Sequence, residues 1–289
     1  MRTWARLSAS IVAASLLSCG SDIGDRGAAV FTTWGEEYIE AQLPPDPTGE
    51  SGFVDGWTVK YEKFLVAFHE ITVADRKGEI AARMIGTRFV DNVRPGRKTL
   101  VTFNDVPAQS WDAVSYVIRP GFPDAEVVAG DPADRDMMAR EGYSLFVQGT
   151  GSKDGMVKKF RWGFKTITHY TNCQQAAASG PAVAGIVVTN RGTDTSELTT
   201  HGDHLFYDRL ASSPNPAVPT RLRFDAIAAA DVNSDGEVTL DELTVTPIDV
   251  RTYDPSGQPA VNMGEFVTAL ARTVGHFRGE GECSVTALR

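Results

Sequence analysis

The sequence of residues 57–68 is WTVKYEKFLVAF, and its pattern predicts a β fold. Apolar and polar side chains alternate from Trp57 to Tyr61, and the residues from Phe64 to Phe68 are all apolar. Alternation with a period of two is typical of a strand that places one face on a core. We therefore expect one long strand here that runs into the core of the protein.

Shorter strands are expected on both sides of this one. Residues 70–73 and 80–85 predict the two arms of a hairpin around a glycine-containing turn. Patterns of the same kind predict further strands at residues 29–34, 99–103, 113–118, 143–147, 157–164, 167–170 and 184–189. Short strands with Gly, Pro and Asp between them favour an antiparallel β-sandwich.

Residues 231–242 place oxygen-bearing groups at the spacing of a twelve-residue calcium loop. The side chains at loop positions 1, 3, 5 and 12 and the backbone carbonyl at position 7 can coordinate the ion. In that order, these groups belong to Asp231, Asn233, Asp235, Glu242 and Glu237. Gly236 stands at position 6, where the chain must turn sharply. The stretch resembles an EF-hand loop, which implies a bound Ca²⁺; an acidic turn without an ion is the alternative.

The flanks of this loop favour a structural role for the ion. Residues 222–230 predict a short entering helix, but residues 240–243 allow only one helical turn before β-branched residues and Pro247. The sequence contains no second loop of this spacing, whereas EF-hands that act as switches usually come in pairs. We therefore expect Ca²⁺ to stabilise the protein, or to be buffered by it.

Residues 262–277 predict a helix, because apolar side chains recur at helical spacing behind Asn262, and Glu265 completes a capping pattern. The expected fold is therefore mainly β: an antiparallel β-sandwich with a short α-helical C-terminal region that carries one EF-hand-like loop. The expected divisions are a signal peptide (1–18), a linker (19–28), the β-sandwich domain (29–210) and the helical region packed on it (211–289).

The first residues have the composition of an export signal. Arg2 and Arg6 are followed by an apolar run at residues 7–17, too short to span a membrane, and then by Cys19. This resembles a bacterial lipoprotein signal peptide, which implies cleavage before Cys19 and acylation of that residue. The resemblance implies an extracytoplasmic protein whose lipid anchor binds a membrane, in the outer membrane of a Gram-negative bacterium. An ordinary signal peptide with an incidental cysteine is the alternative.

The two other cysteines, Cys173 and Cys283, are expected to form a disulfide, because an export compartment is oxidising. Two unrelated buried thiols are the alternative.

The net charge is −9, and basic runs are absent from the sequence. This composition argues against a nucleic-acid partner and favours cations.

A second resemblance covers residues 56–173. The segment MAREGYSL, which starts at Met138, and the predicted strands that frame it are similar to bacterial periplasmic copper-binding proteins of the methanobactin-associated (MbnP-type) group. That family has a β-sandwich, so the resemblance implies this fold and a bound copper ion. Met137 and Met138 are also compatible with core packing or with a flexible loop.

Two of the five histidines, His201 and His204, lie beside Asp203 in the segment HGDH. These three residues could bind a transition metal such as copper or zinc. Residues three apart face one another on a helix or in a turn but lie on opposite faces of a strand. Joint coordination therefore requires the preceding strand to end before His201, which Gly202 permits.

The same segment overlaps half of the His-x-His-x-Asp-His signature of metallo-β-lactamase-fold hydrolases. Thr199 stands where the first histidine of that signature belongs, and His276 is the only histidine further downstream. Three interpretations stay open: a metal-dependent hydrolase, a non-catalytic metal site, and structural histidines with satisfied hydrogen bonds.

Other polar residues have less specific patterns. His69 and His169 fall within predicted strands, and we expect them to be packed or surface side chains. A cluster of carboxylates could join a metal site or form a solvated acidic turn; it consists of Glu36, Glu37 and Glu40.

Two functions therefore compete. The first is a membrane-anchored, extracytoplasmic calcium-binding lipoprotein with a structural or binding role and an envelope partner that the sequence does not name. The second is a metal-dependent hydrolase or a transition-metal-binding protein that uses His201, Asp203 and His204. The sequence contains no Ser–His–acid set and no phosphate-binding glycine loop, and its cysteines have other expected roles. Binding is therefore favoured over catalysis.

Overall fold

The computed structural model describes residues 24–49, 51–177, 179–210 and 219–288. The expected signal peptide, residues 1–18, and the expected lipidation site Cys19 lie outside these ranges. The first strand begins at Arg26, three residues earlier than expected and within the region expected to be a linker.

The described residues form sixteen strands and a few short helices, so the protein is mainly β, as expected. The strands are β1 (Arg26–Trp34), β2 (Thr58–Ala74), β3 (Ile80–Arg83), β4 (Thr87–Asp91), β5 (Lys98–Pro107), β6 (Ser110–Trp111), β7 (Ala113–Ile118), β8 (Glu126–Ala129), β9 (Leu145–Lys153), β10 (Met156–Phe164), β11 (Ile167–Gln175), β12 (Val183–Ala184), β13 (Ile186–Val187), β14 (Thr193–Thr199), β15 (Glu237–Thr239) and β16 (Glu282–Leu288).

The helices are α1 (Glu36–Glu40), α2 (Pro132–Glu141), α3 (Asp225–Ala228), α4 (Leu240–Val245) and α5 (Met263–Leu270), and a 3₁₀-helix covers Asp203–Phe206. Within the part of the chain that the structure describes, no helix has the length and apolar character needed to cross a membrane.

The described strands pair into two mixed sheets and one short antiparallel pair, β6 with β13. One sheet has the order β14-β1-β5, and the largest has the order β12-β11-β7-β2-β9-β10-β15, with β16 on β11, β3 and β4 on β2, and β8 on β4. The pairs β1–β14, β4–β8 and β10–β15 are parallel, whereas the sequence predicted antiparallel pairing throughout. Parallel partners need a long crossover connection, so no local turn signal marks them.

The longest strand, β2, organises the large sheet. The pattern at residues 57–68 is confirmed, because β2 extends over 17 residues and pairs with β9, β7, β4 and β3. Val59, Tyr61 and all of residues 64–68 are buried. Burial of one large apolar side chain stabilises the fold by about 1.5–3 kcal/mol. The antiparallel pair β2–β3 also confirms the predicted hairpin.

One helix, α2, was not predicted. The side chain of Asp131 caps it by accepting a hydrogen bond from the N–H of Ala133 (2.9 Å), Pro132 is its first residue, and Gly142 ends it with φ 72°. These are ordinary start and stop signals. The helix itself is dominated by charged residues, so it lacks the apolar stripe by which amphipathic helices are found.

The C-terminal helix α5 begins as predicted but ends early. Its cap is confirmed, because Asn262 Oδ1 accepts a hydrogen bond from the N–H of Glu265 (2.8 Å). The predicted continuation beyond Leu270 is wrong. The Thr273 hydroxyl donates to the carbonyl oxygen of Leu270 (2.9 Å), and the backbone of residues 274–276 pairs with the segment after β14. Hydrogen bonds to a distant segment thus replace the helical ones.

The C-terminal region is not only helical. β15 pairs in parallel with β10, and β16 pairs antiparallel with β11, so both strands extend the largest sheet. The predicted disulfide is confirmed: Cys173 on β11 is joined to Cys283 on β16. The end of the chain is therefore fastened covalently to a strand in the middle of the sequence.

Loss of this disulfide is expected to destabilise the native state strongly. The two cysteines are 110 residues apart in sequence, and the chain-entropy model assigns about 4–5 kcal/mol to a loop of that size. Denaturant unfolding of the wild type and of the Cys173→Ser/Cys283→Ser double variant measures the difference in free energy of unfolding. A difference below about 1 kcal/mol would contradict the chain-entropy estimate.

Candidate metal centre

Two parallel strands end side by side at the candidate site. β1 and β14 pair with Trp34 opposite Thr199, the last residue of each strand. Two residues further along each segment stand Glu36 and His201, and Oε2 of Glu36 lies 3.3 Å from Nδ1 of His201. Glu36 has φ 54°, a conformation that costs a non-glycine residue about 1–3 kcal/mol. The register of β1 on β14 therefore brings this carboxylate to this histidine.

A turn at Gly202 places the second histidine. β14 ends two residues before His201, as joint coordination requires. Gly202 packs so closely on Tyr61 and Ile39 that a Cβ atom at this position would lie 2.8 and 2.7 Å from their side chains. The chain then enters the 3₁₀-helix, and the ring centroids of His201 and His204 lie 5.2 Å apart.

The third histidine, His276, was not expected here. The segment after α5 runs antiparallel to the end of β14, because the N–H of His201 donates to the Val274 carbonyl (2.8 Å) and the N–H of His276 donates to the Thr199 carbonyl (2.9 Å). The ring centroid of His276 lies 4.3 Å from that of His201 and 5.0 Å from that of His204. His276 thus completes a three-histidine cluster that no spacing in the sequence announces.

The donor atoms converge in two overlapping groups. Those of His201, Asp203 and His204 lie within 4.8 Å of one another, and so do those of His201, His276 and Glu280. Glu280 is exposed, whereas the other four residues are buried. Among the described residues, His201 Nε2, His276 Nδ1 and Asp203 Oδ1 have no hydrogen-bond partner. Such buried atoms cost about 1–3 kcal/mol each, so they fit metal ligands better than structural histidines with satisfied hydrogen bonds.

Neighbouring side chains hold two of these groups in defined orientations. The Thr273 hydroxyl donates its single proton to the Leu270 carbonyl, so it must accept the bond that joins it to Nδ1 of His204 (2.9 Å). His204 then carries its proton on Nδ1 and leaves the lone pair of Nε2 free. The Tyr207 hydroxyl donates to Oδ2 of Asp203 (2.8 Å). Partners of this kind orient metal ligands.

Burial keeps two of the histidines neutral. Burial, assisted by the charge of nearby His201, lowers the pKa of His204 to about 3, and the pKa of His276 falls to about 3 for the same reasons. Burial also raises the pKa of Glu36 and that of Tyr207. A histidine must be neutral to bind a metal. Protons therefore compete little for His204 and His276 at neutral pH.

The expected calcium loop is closed by its own hydrogen bonds. Oδ1 of Asp231 accepts from the N–H of Asp235 (3.1 Å), and Oδ2 accepts from the N–H of Gly236 (3.0 Å). The N–H of Asp235 also donates to Oδ1 of Asn233 (2.9 Å). The N–H of Glu237 donates to Oδ1 of Asp235 (2.8 Å). These bonds wrap the backbone around the carboxylate of Asp231.

The last expected calcium ligand, Glu242, is partly engaged. Its Oε2 accepts hydrogen bonds from the N–H and the hydroxyl of Thr239 (both 2.8 Å), and its Oε1 is buried with no partner in the described chain. Lys158 Nζ lies 2.5 Å from Oδ2 of Asp231. Across the described residues, the carboxylates of Asp231, Asp235 and Glu242 do not converge within 4.8 Å as the histidine groups do.

The remaining histidines lie outside the cluster. His69 is buried and bonded through its ring to the Thr87 hydroxyl (2.9 Å), and His169 is half-buried on β11, so both are packed or surface side chains as expected. Met137 and Met138 lie on α2, and Met138 belongs to a small apolar cluster. Its burial there agrees with core packing.

No protein-family profile, no curated protein and no solved structure matches this chain. The resemblances to an EF-hand loop, to a lipoprotein signal peptide and to MbnP-type copper proteins therefore stay predictions. What the site can do chemically is inferred from its own residues.

His204 is expected to carry its proton on Nδ1 in the metal-free protein at neutral pH, because Thr273 can only accept there. Nitrogen-15 NMR of the imidazole rings distinguishes the two tautomers. Thr273→Val removes the acceptor and should leave His204 with both tautomers populated. A wild-type ring protonated on Nε2 would show that the Nε2 lone pair is not available to a metal.

Proposed function

We propose that this chain is a metal-binding protein that holds one transition-metal ion between His201, His204 and His276. The observation that carries the proposal is the meeting of three buried imidazoles, two of which keep a ring nitrogen without a hydrogen-bond partner in the described chain. Imidazole suits zinc and copper, and three protein ligands are typical of zinc sites with an open position.

A carboxylate completes the proposed ligand set. Asp203 is the best candidate, because it is buried, is oriented by Tyr207 and keeps Oδ1 free. Glu36 faces Nδ1 of His201, so it is placed to orient that ring while Nε2 binds the ion. Glu280 is exposed, so its side chain would lose more rotamer freedom on binding.

We also propose that the loop at residues 231–242 binds Ca²⁺ in a structural role. Its hydrogen bonds and the free, buried Oε1 of Glu242 support this. The amine of Lys158 competes with any cation for Asp231. The proposed ligands are Asp231, Asn233, Asp235, Glu237 and Glu242.

An exported, lipid-anchored protein stays our proposal for the cellular setting. The Cys173–Cys283 disulfide supports it, because disulfides persist in oxidising compartments. Acylation of Cys19, the membrane partner and the outer-membrane address rest on the sequence alone.

One apolar core includes Phe31 of β1 and Phe68 of β2, from different sheets, which supports the proposed β-sandwich arrangement.

A metal-dependent hydrolase is the alternative that uses the same ligands. Zinc held by three histidines with a bound water is a centre of hydrolytic chemistry. A cavity of about 180 Å³ adjoins His204 and His276 and favours this alternative over a closed structural site. Turnover of an activated ester by the zinc-loaded wild type, but not by His276→Ala, would favour it.

Loss of His276 is expected to weaken Zn²⁺ and Cu²⁺ binding more than loss of an orienting partner. Removing the partner of a ligand costs about 10–100-fold in affinity, and His276→Ala removes a ligand itself. Calorimetric titration of the metal-free protein with each ion measures the dissociation constants. We expect them to rise by more than about 100-fold.

His169→Ala is the matched control, because it removes a half-buried histidine outside the cluster. This variant should keep the wild-type affinity for both ions. Equal affinities for the wild type and His276→Ala, or no binding by the folded wild type, would contradict the three-histidine site.

Calcium is expected to raise the melting temperature. An ion that binds only the native state stabilises it by RT ln(1 + [L]/Kd), which is about 2.7 kcal/mol at a hundredfold excess over Kd. Glu242→Gln should remove most of this rise, because it removes a charged ligand. Mg²⁺ should substitute poorly, because it keeps its own octahedral waters. Melting curves in calcium and in chelator measure both effects.

Asp241→Asn is the control for this experiment. It makes the same change of charge one residue earlier, at an exposed position that supplies no ligand. The calcium-dependent rise should survive in this variant. A wild type that melts at one temperature with and without Ca²⁺ would reject the calcium site and leave the histidine cluster unaffected.

A further inference from the structure

A small cavity adjoins the three-histidine cluster. Its volume is about 180 Å³, and its walls include His204, His276, Tyr207, Arg209 and Glu282. Water occupies about 30 Å³ per molecule in the liquid, so the cavity has room for a few waters or for one ligand of few atoms. Drug-sized ligands need roughly 300–1,000 Å³, so the size of the cavity excludes them.

Arg209 is the cationic group of this cavity. Its side chain is only 12% exposed, and its Nε is buried with no hydrogen-bond partner among the described residues. Carboxylate oxygens of Asp208 and Asp254 lie 3.8 and 3.7 Å from its guanidinium nitrogens, too far for hydrogen bonds. These two carboxylates offset the charge of the guanidinium without saturating its N–H donors, since Nε has no partner in the described chain. Such donors match the two oxygens of a carboxylate or a phosphate.

The proposed metal ion adds a second positive charge beside the same cavity. Asp203 would offset one of its two charges, and the histidine ligands would offset none. Two of the histidines, His204 and His276, line the cavity. Glu282 is the acidic residue on the cavity wall. Asp203, Asp208 and Asp254 also lie near these positive charges, but they do not line the cavity. An anion inside the cavity would therefore meet the guanidinium and the proposed ion directly.

We propose that this cavity binds a small oxyanion, a carboxylate or inorganic phosphate, between Arg209 and the metal ion. The inference rests on the proposed transition-metal site, which supplies one of the two positive charges. The anion would be a fifth ligand of the ion beside the three histidines and Asp203, a coordination number that zinc reaches at catalytic sites. The specific contribution of this chain is the guanidinium of Arg209, which offers paired donors where Lys would offer one point charge.

Co²⁺-loaded protein tests the proposal, because the visible absorption of Co²⁺ changes when an anion enters its coordination sphere. Inorganic phosphate is titrated in one arm and acetate in the other, so the two arms identify the oxyanion that the cavity prefers. The wild type is expected to give a saturable spectral change with at least one of them. Arg209→Leu is expected to lower the affinity for that anion by about 10–100-fold, because a charge-assisted hydrogen-bonded pair is lost. The variant should still bind Co²⁺.

Two further variants keep the test decisive. Arg251→Leu removes the same charge from an exposed residue and should behave as the wild type. Arg209→Lys keeps the charge without the planar fork and should bind the anion with intermediate affinity; it carries the test if Arg209→Leu does not fold. If Arg209→Lys then bound the anion with wild-type affinity, the proposal that the guanidinium recognises the anion would be rejected.

The outcomes separate this proposal from the one on which it rests. Failure of the folded wild type to bind Co²⁺ would reject the metal site, and the anion site with it. Co²⁺ binding with no spectral response to either anion would reject the anion site alone. An identical response in Arg209→Leu and the wild type would also reject it alone.

Discussion

The parallel pairing of β1 with β14 is the constraint on which the candidate metal centre depends. It fixes Trp34 opposite Thr199. The two chain segments therefore leave the sheet side by side, and this determines the positions of Glu36 and His201. A strand register that slips by one residue turns every side chain to the other face. Phe31 is buried in the apolar core, and such a slip would expose it. Core packing of the strand therefore holds the geometry of the site.

The centre combines features that lower the stability of the protein. Three buried polar atoms lack partners among the described residues, and Glu36 adopts an unfavourable backbone conformation. Each of these features costs about 1–3 kcal/mol. A fold tolerates such features where the surrounding structure over-determines them, and they cluster at functional sites. The loop at residues 231–242 differs, because its carboxylates are largely hydrogen bonded within the loop.

Local patterns predicted the parts of the fold that are set by residues close in sequence. The strand at residues 113–118 has the predicted bounds, the β2–β3 hairpin forms, and Asn262 caps α5. The parallel pairs, β16 and the position of His276 depend on contacts between distant segments, and such contacts leave no periodic signal. The sequence therefore identified two of the three clustered histidines, and it drew attention to the contiguous EF-hand pattern first.

The clustered residues come from three segments of the chain, which are synthesised one after another from the N-terminus. Glu36 emerges first, His201 and His204 follow much later, and His276 emerges only after α5. A nascent chain that has not reached His276 has an incomplete set of histidines, and Cys283 is later still. A metal held by all three histidines, as proposed, therefore requires a chain that is synthesised at least as far as His276.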